Sequence, residues 1–185
     1  IIKERKNPPD RRVVFSPDEL ARLKQLYQGI TVKVESSDIR VFSDEDYRNI
    51  GVEVADDISD CSVFFGVKEV SIDYLIADKS YFFFSHTLKK QPHNRQLLRA
   101  LLEKNIDFYD HETLVDTHNH RLIGFGKYAG IVGAYNAIRA FGIKFELFKL
   151  PKAATLSGKE ALIAHLKRLV LPPLKFVITG TGKVG

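Results

Sequence analysis

Three glycines near the end of the chain are spaced in a pattern that can bind a dinucleotide. Gly180, Gly182 and Gly185 form a G-x-G-x-x-G sequence directly after the apolar segment 175–179, which has the composition of a β-strand. Only glycine lets the backbone turn tightly and approach a pyrophosphate, which then binds at the N-terminus of a following helix. An ordinary turn after a strand can have the same glycine content, so the pattern alone leaves both interpretations open.

Histidine and cysteine residues offer further candidates for chemistry. His86 follows the apolar run 81–85 and so falls at the carboxyl end of a predicted strand, where α/β folds place their sites; a structural histidine is the alternative. His118 and His120 have the spacing of metal ligands, but no third or fourth ligand follows, which favours a solvated turn. Cys61 begins an apolar segment, which favours a place in the core over a role as nucleophile.

The composition is typical of a globular protein. The 185 residues are 44% hydrophobic and 28% charged, and the long apolar runs have the length of strands rather than of membrane spans. The single cysteine allows no intrachain disulfide and fits a reducing compartment, so we expect a cytoplasmic protein. The net charge of +5 comes from dispersed basic residues, which favours a solvated surface over binding to nucleic acid.

Strand-like and helical segments alternate along the chain. Ser16 and Ser43 each begin a helix-capping pattern, and Pro17 suits the first position of a helix. The alternation predicts an α/β fold with a doubly wound, mostly parallel, Rossmann-like sheet. Helices are predicted near residues 17–27, 44–51, 92–102, 126–141 and 159–170, and strands near residues 1–4, 30–35, 52–54, 61–67, 81–85 and 107–109.

The elements also predict a domain boundary and two buried helix faces. We expect a substrate domain over residues 1–171, followed over residues 172–185 by the first strand and glycine loop of a truncated dinucleotide-binding domain. The helix 126–141 is apolar nearly all round and is expected to be buried. A leucine stripe on the helix after Pro92 is expected to face the core; it comprises Leu97, Leu98, Leu101 and Leu102.

Four regions of the chain together resemble a known family. They are Lys6-Asn-Pro-Pro-Asp-Arg-Arg12 with Ser16-Pro17, Gly66-Val-Lys-Glu69, Phe84-Ser-His-Thr-Leu-Lys89, and Tyr109-Asp-His-Glu112 with Gly124-Phe-Gly-Lys-Tyr-Ala-Gly130. These regions are similar to the N-terminal domain of L-lysine-forming saccharopine dehydrogenases and lysine–ketoglutarate reductases, which are relatives of alanine dehydrogenase and nicotinamide nucleotide transhydrogenase. The resemblance covers essentially the whole chain.

The resemblance implies an enzyme that interconverts saccharopine with L-lysine and 2-oxoglutarate, using NAD or NADP with NAD favoured. It implies that Lys68 and His86 are the acid–base pair and that Arg12 holds a substrate carboxylate. If the strands ending near these two residues are neighbours, their side chains reach one substrate. The other implied residues surround the substrate or begin the cofactor loop: Glu69, Lys89, Glu112 and Phe125 for the substrate, and Gly180, Gly182 and Gly185 for the cofactor.

This chemistry needs groups of these types. Oxidation of a secondary amine requires a base for its proton, the resulting imine requires an activated water, and the departing amine requires an acid. Histidine is suited to both roles near neutral pH, whereas a lysine serves as a base where nearby cations such as Arg12 and Lys89 favour its uncharged form. Arginine binds a carboxylate through two parallel hydrogen bonds, which suits a substrate with several carboxylates.

Two alternatives remain open at the level of sequence. One is a related alanine-dehydrogenase-like enzyme for another amino acid, which Lys89 and the segment that begins at Phe125 disfavour. The other is a non-catalytic ligand-binding or assembly domain of the same fold, which the presence of Lys68, His86 and Arg12 disfavours. We expect residues 1–185 alone to be inactive, to bind no cofactor, and to self-associate through apolar surface near the last helix.

Overall fold

The computed structural model describes residues 1–182 and residue 184. The chain divides into two compact units, Ile1–Ile123 and Gly124–Gly185. The first unit contains helices α1 (Pro17–Leu26), α2 (Asp44–Arg48) and α3 (Arg95–Glu103) and strands β1 (Lys33–Glu35), β2 (Glu53–Ala55), β3 (Val63–Phe65), β4 (Ser80–Phe83) and β5 (Asp107–Asp110). The second unit contains α4 (Gly126–Lys144) and α5 (Lys159–Lys167).

The strands of the first unit pair in parallel, which confirms the predicted α/β fold. β1 pairs with β2, and β3, β4 and β5 form a second group in that order. The N-terminal residues join the groups, because Glu35 N–H donates to the Ile1 carbonyl and Ile2 N–H donates to the Phe65 carbonyl, each at 2.9 Å. The predicted strand at residues 1–4 is therefore a short bonded segment between β1 and β3.

Aromatic side chains hold the register of β3, β4 and β5. On one face Phe82 stacks between Phe65 and Tyr109, with ring centroids 4.5 Å from each. On the other face Tyr81 stacks on Phe64 at 4.8 Å and belongs to the main core of the unit. Stacked cross-strand pairs of this type stabilise a sheet beyond the burial of their area and disfavour a shifted register.

The predicted helix starts are confirmed by their capping bonds. The Ser16 hydroxyl accepts a bond from Glu19 N–H, and Pro17 is the first residue of α1. Ser43 and Asp46 cap α2 reciprocally, each side chain accepting from the backbone N–H of the other. These short polar patterns specify where a helix begins because they satisfy N–H groups that the helix leaves unbonded.

One prediction about an apolar helix face holds only in part, and a second is wrong. In α3 the buried residues are Leu97, Ala100 and Leu101, whereas Leu98 and Leu102 are 43% and 74% exposed. The four leucines occupy a wider arc of the helix surface than the part that packs against the core. Ala100, rather than a third leucine, completes the buried face. Helix α4 is exposed along much of its length, with only Tyr135 and Gly142 buried; its apolar contacts are with the segment 148–156 and with α5 and the residues just after it.

The segment 175–179 is not a strand in this structure. Within the described residues, no helix or strand follows Lys167, and Val177 and Ile178 are 78% and 80% exposed. A strand requires a neighbouring strand to bond its N–H and C=O groups, and no described strand lies beside this segment. The domain boundary predicted between residues 171 and 172 stays a prediction.

No helix in the described part of the chain is long and apolar enough to cross a membrane.

The polar turn predicted at residues 116–121 is present, closed by an antiparallel bridge between Val115 and Arg121. The carboxylate of Asp116 accepts the N–H groups of His118 and His120, so these histidines are organised by the turn itself. Among the described residues, no group of three or more His, Cys, Asp or Glu side chains is arranged to hold a metal ion.

The Tyr81 hydroxyl offers a test of the packing beneath β4. It is buried and accepts the Ile76 N–H at 3.0 Å. Tyr81→Phe leaves that N–H without its acceptor, so we expect the free energy of unfolding to fall by about 1–3 kcal/mol in urea denaturation. Tyr74→Phe is the matched control, because Tyr74 is 76% exposed and should change stability by less than about 0.5 kcal/mol. Equal effects of the two substitutions would contradict this packing.

Candidate active site

Lys68 and His86 meet at the carboxyl edge of the sheet. Strands β3 and β4 pair in register, and their ladder continues beyond both strands, since Gly66 N–H donates to the Phe82 carbonyl and Phe84 N–H donates to the Val67 carbonyl. The segments that follow β3 and β4 at this edge bring the side chains of Lys68 and His86 toward each other. Lys68 Nζ lies 2.8 Å from His86 Nε2, so the two groups share a hydrogen bond, as the predicted strand order requires.

The backbone of His86 has a left-handed conformation, with φ 56° and ψ 12°. This conformation costs a non-glycine residue about 1–3 kcal/mol, so the surrounding contacts must hold it. The hydroxyl of the fully buried Ser85 bonds to the Asp110 carboxylate and accepts Thr87 N–H at 3.0 Å. These bonds fix the chain on both sides of His86 and direct its ring toward Lys68.

Glu112 holds the other nitrogen of the His86 ring. It follows β5, the second parallel neighbour of β4, and its Oε2 lies 3.3 Å from His86 Nδ1. The Glu112 side chain is only 2% exposed, and its Oε1 contacts Lys89 Nζ at 3.2 Å and an Arg121 guanidinium nitrogen at 3.1 Å. A buried carboxylate that contacts an imidazole and two cations is a charge centre for the whole site.

The contacts of Glu112 also decide its charge. Burial alone raises the pKa of this carboxyl, but the hydrogen bonds from Lys89 and His86 and the charge of Arg121 outweigh it, so the net pKa is lowered. Glu112 is therefore ionised near neutral pH. An ionised carboxylate only accepts hydrogen bonds, so it favours a proton on His86 Nδ1. His86 Nε2 then accepts the hydrogen bond from Lys68 whenever Lys68 is an ammonium.

Arg12 is held by a neighbouring carboxylate. Its guanidinium bonds Asp10 through two nitrogens, with the Nε–Oδ1 distance at 2.8 Å, and Asp10 is 8% exposed. The hydrogen bond from Arg12 is the largest cause of the lowered pKa of Asp10, and burial opposes it. The negative charges of Glu4 and Glu69 also contribute to the raised pKa of Arg12, so this guanidinium lies near both carboxylates.

The sequence-predicted residues lie in both units of the chain. Within the first unit, direct contacts connect Lys68, His86, Lys89 and Glu112, and Glu69 joins them with Oε1 at 3.7 Å from His86 Nε2. Phe125 belongs to the second unit, where it caps α4 and is 43% exposed. Gly180 and Gly182 lie in the irregular segment after α5, and Gly185 lies outside the described residues.

Several site residues carried no individual prediction. Asp10, Ser85 and Asp110 each lie within two residues of one that did, so adjacency was a usable signal for them. Arg121 closes the polar turn, and nothing in its own sequence context points to Glu112. The last residue is Glu4, which contacts the Lys68 segment from a distance of more than 60 positions in the sequence.

A large cavity of the first unit, about 1380 Å³, reaches the cluster from one side. Lys68, Glu69 and Glu4 contribute to its wall, whereas His86 does not. A volume of this size exceeds the range of about 300–1,000 Å³ that is common for small-molecule sites. The cluster therefore borders open space large enough for an amino-acid substrate.

Comparison with known proteins places the chain in a family. The model of the family described as "Alanine dehydrogenase/PNT, N-terminal domain" matches residues 1–132, and the chain belongs to this family. A solved structure of L-alanine dehydrogenase covers 78% of this chain with 39% of its own length, at a TM-score of 0.56 and 22% sequence identity. That likeness agrees with the Rossmann-like α/β architecture.

Two curated relatives share more of the sequence. The alpha-aminoadipic semialdehyde synthase of Arabidopsis thaliana is 32% identical over 206 residues, which cover 100% of this chain and 19% of that protein. The saccharopine dehydrogenase (NAD(+), L-lysine-forming) of Yarrowia lipolytica is 26% identical over 167 residues, which cover 86% of this chain and 43% of that protein. The chain thus spans about a fifth of the plant relative and less than half of the fungal one.

The lowered pKa of Glu112 gives a pH-dependent prediction. Its ionised form stabilises the fold above the ordinary pKa of 4.5, and this contribution is lost as the pH falls through the folded-state pKa. We expect Glu112→Gln to reduce the free energy of unfolding by about 1–3 kcal/mol at pH 7. The difference from the wild type should shrink as urea denaturation is repeated from pH 5 down to pH 3.

The matched control for this prediction is Glu45→Gln. Glu45 is a carboxylate on the surface of α2 whose side chain is 67% exposed, so this substitution should change stability by less than about 0.5 kcal/mol at either end of the range. A difference between wild type and Glu112→Gln that stays constant across the pH range would contradict the assignment of Glu112 as an ionised charge centre.

Proposed function

We propose that this chain is the substrate-side domain of a nicotinamide-dependent oxidoreductase that interconverts saccharopine with L-lysine and 2-oxoglutarate. The observation that carries the proposal is the bonded series Lys68–His86–Glu112, in which Lys68 Nζ lies 2.8 Å from His86 Nε2 and His86 Nδ1 lies 3.3 Å from Glu112. The fungal relative, an L-lysine-forming saccharopine dehydrogenase that uses NAD(+), supports both the substrate and the cofactor assignment.

This series is suited to proton transfer in both directions. The Lys68–His86 pair accepts the proton of the substrate's secondary amine, and the 2.8 Å contact between Lys68 Nζ and His86 Nε2 lets that proton be shared. A nicotinamide cofactor, which Gly180, Gly182 and Gly185 would hold, would supply the hydride acceptor that converts the substrate amine to an imine. His86 then activates the water that adds to the imine, and the departing lysine amine takes its proton back from the same pair. Glu112 stays ionised and holds the imidazole in orientation.

The cationic groups around the series suit the carboxylates of the substrate. We assign Arg12 to one of them, because a guanidinium presents five N–H donors in a planar fork that matches a carboxylate, and Asp10 orients it through two of its nitrogens. Lys89 and Arg121 converge on Glu112 from the exposed side, each with a side chain about half exposed. Their position lets them interact with a second substrate carboxylate while they hold Glu112.

The described glycines fit a loop that approaches a cofactor phosphate. Gly180 has φ +93°, a conformation that side-chain-bearing residues rarely adopt. Apart from the adjoining residues, no described atom lies within 4 Å of the point where a Cβ would stand at Gly180 or Gly182. We assign these two glycines, with Gly185, to the pyrophosphate of NAD or NADP. The helix that would complete such a loop is not among the described elements.

A second candidate function is the oxidation of a smaller amino acid. The family description names alanine dehydrogenase, and a lysine beside a histidine suits any such reaction. The cluster of Arg12, Lys89 and Arg121 favours a substrate with several carboxylates over alanine, which has one.

Two further expectations stay predictions: a cytoplasmic location, and self-association through the exposed Phe176, Val177 and Ile178.

Substitutions in the full-length protein test the proposed function. His86→Gln and Lys68→Met should each lower kcat with saccharopine on the order of 10²–10⁴-fold, because each removes a proton-transfer group. Arg12→Ala should mainly raise the KM for saccharopine, since a guanidinium that anchors substrate equally in the ground and transition states leaves kcat unchanged. Steady-state kinetics with saccharopine and with alanine measure both effects.

Two surface substitutions serve as controls for this experiment. His118→Gln alters the exposed polar turn and Lys167→Met alters the exposed end of α5, and both should keep wild-type kinetics. Wild-type kcat in both His86→Gln and Lys68→Met would overturn the acid–base assignment. Turnover of alanine by the wild-type protein, without turnover of saccharopine, would favour the second candidate instead.

A further inference from the structure

Glu4 contacts the segment that carries Lys68, and it has no role in the mechanism described above. Its Oε1 accepts the Val67 N–H at 2.6 Å, and its Oε2 accepts the Lys68 N–H at 3.1 Å. One carboxylate therefore binds two successive N–H groups of the chain that leaves β3. The contact joins residues that lie 63 and 64 positions apart in the sequence.

The backbone bonds on the two sides of this segment explain why a side chain is needed. On the β4 side, Gly66 N–H and the Val67 carbonyl have backbone partners, Phe82 and Phe84. On the opposite side, the N-terminal segment supplies its last backbone bond to β3 at Ile2, whose N–H donates to Phe65. At Val67 and Lys68, the hydrogen-bond acceptors come from the Glu4 carboxylate, where a paired strand would supply backbone carbonyls.

A second contact holds the same segment from the side of β5. The imidazole Nε2 of His111 lies 3.1 Å from the Gly66 carbonyl, and both residues are buried. A carbonyl only accepts hydrogen bonds, so His111 carries a proton on Nε2. The segment 66–68 is thus fixed at its carbonyl by an imidazole and at its N–H groups by a carboxylate, and Lys68 is the first residue whose side chain leaves it toward His86.

We propose that Glu4 is the positioning residue for Lys68: by binding the Val67 and Lys68 N–H groups, it sets the point from which the lysine side chain reaches His86 Nε2. The catalytic part of this inference rests on the proposed function. Glu4 does not exchange protons with the substrate in this account. Glu4 affects the reaction only by setting the position of Lys68. A carboxylate that merely stabilised the fold would affect activity whether or not Lys68 was present.

The surroundings of Glu4 agree with this role. The pKa of its carboxyl is raised, chiefly by burial and further by the charge of Asp10, although the two N–H donors and Arg12 oppose the rise. Glutamine at this position keeps one acceptor oxygen and replaces the other with an N–H₂ group that cannot accept. Glu4→Gln therefore breaks one of the two bonds while it preserves the size of the side chain, which makes it the informative variant.

A double-mutant cycle in the full-length protein tests the proposal. In the wild-type background, Glu4→Gln should lower kcat with saccharopine by about 10-fold and change KM by less than about 3-fold, because a small displacement of a reacting group acts on the chemical step. In the Lys68→Met background, the same substitution should change kcat by less than about 2-fold, because the residue through which Glu4 acts is already absent.

Glu35→Gln is the matched control for the cycle. Glu35 is also a carboxylate that binds the N-terminal segment, accepting the Lys3 N–H at 3.0 Å, but it does not contact residues 66–68. Its substitution should leave kcat within about 2-fold of wild type in both backgrounds. A loss from Glu4→Gln that is equal in the wild-type and Lys68→Met backgrounds, or that falls on KM alone, would overturn the positioning role.

Amide hydrogen exchange separates this inference from the proposed function. Glu4→Gln should accelerate exchange at Val67 and Lys68 by about 10-fold or more relative to wild type, while Glu35→Gln should not. Unchanged exchange at both amides would overturn the inference whatever the substrate. Accelerated exchange in a protein that does not turn over saccharopine would refute the proposed function and leave the hold of Glu4 on the Lys68 segment intact.

Discussion

The in-register parallel pairing of β3, β4 and β5 is the constraint on which the candidate site depends. Parallel strands end at the same edge of a sheet, so the segments that follow neighbouring strands lie side by side. Here Lys68 follows β3, His86 follows β4 and Glu112 follows β5, in the same order as the strands. A shift of one residue in either pairing would turn the side chains to the other face and separate the three groups.

The interactions that hold this edge are mostly polar and are made by residues at the ends of the strands or just beyond them. Ser85 and Asp110 hold the chain around the left-handed His86, and Glu112 accepts contacts from the imidazole and from two cations. Buried polar groups of this kind are costly unless every one is satisfied. The arrangement is therefore specific, because loss of one partner leaves another charged or polar group buried without its bond.

The sequence predicted the parts of this structure that depend on local pattern. The alternation of strands and helices and the helix starts at Ser16 and Ser43 follow from spacing and residue type. The pairing of Lys68 with His86 was implied by the resemblance to a known family, and the two side chains do meet. The position of Glu4 follows from neither, because no local pattern relates it to a segment more than 60 residues away.

The wrong predictions concern features that tertiary packing decides. The apolar arc of α3 is wider than the surface that covers it, so the sequence could not show that Leu98 and Leu102 would be exposed. The strand expected at residues 175–179 requires a partner that periodicity alone does not supply. The left-handed backbone of His86 is likewise set by its neighbours and not by its residue type.

The protonation pattern of His86 tests the central claim most directly. Nuclear magnetic resonance of the protein labelled with ¹⁵N in its histidines, with His86 assigned by comparison with His86→Gln, identifies which ring nitrogen carries the proton. Glu112 and Lys68 on opposite sides of the ring predict a neutral imidazole protonated on Nδ1, with Nε2 accepting, at pH values where the ring is uncharged. A proton on Nε2, or equal populations of the two tautomers as in free histidine, would contradict the bonded series Lys68–His86–Glu112.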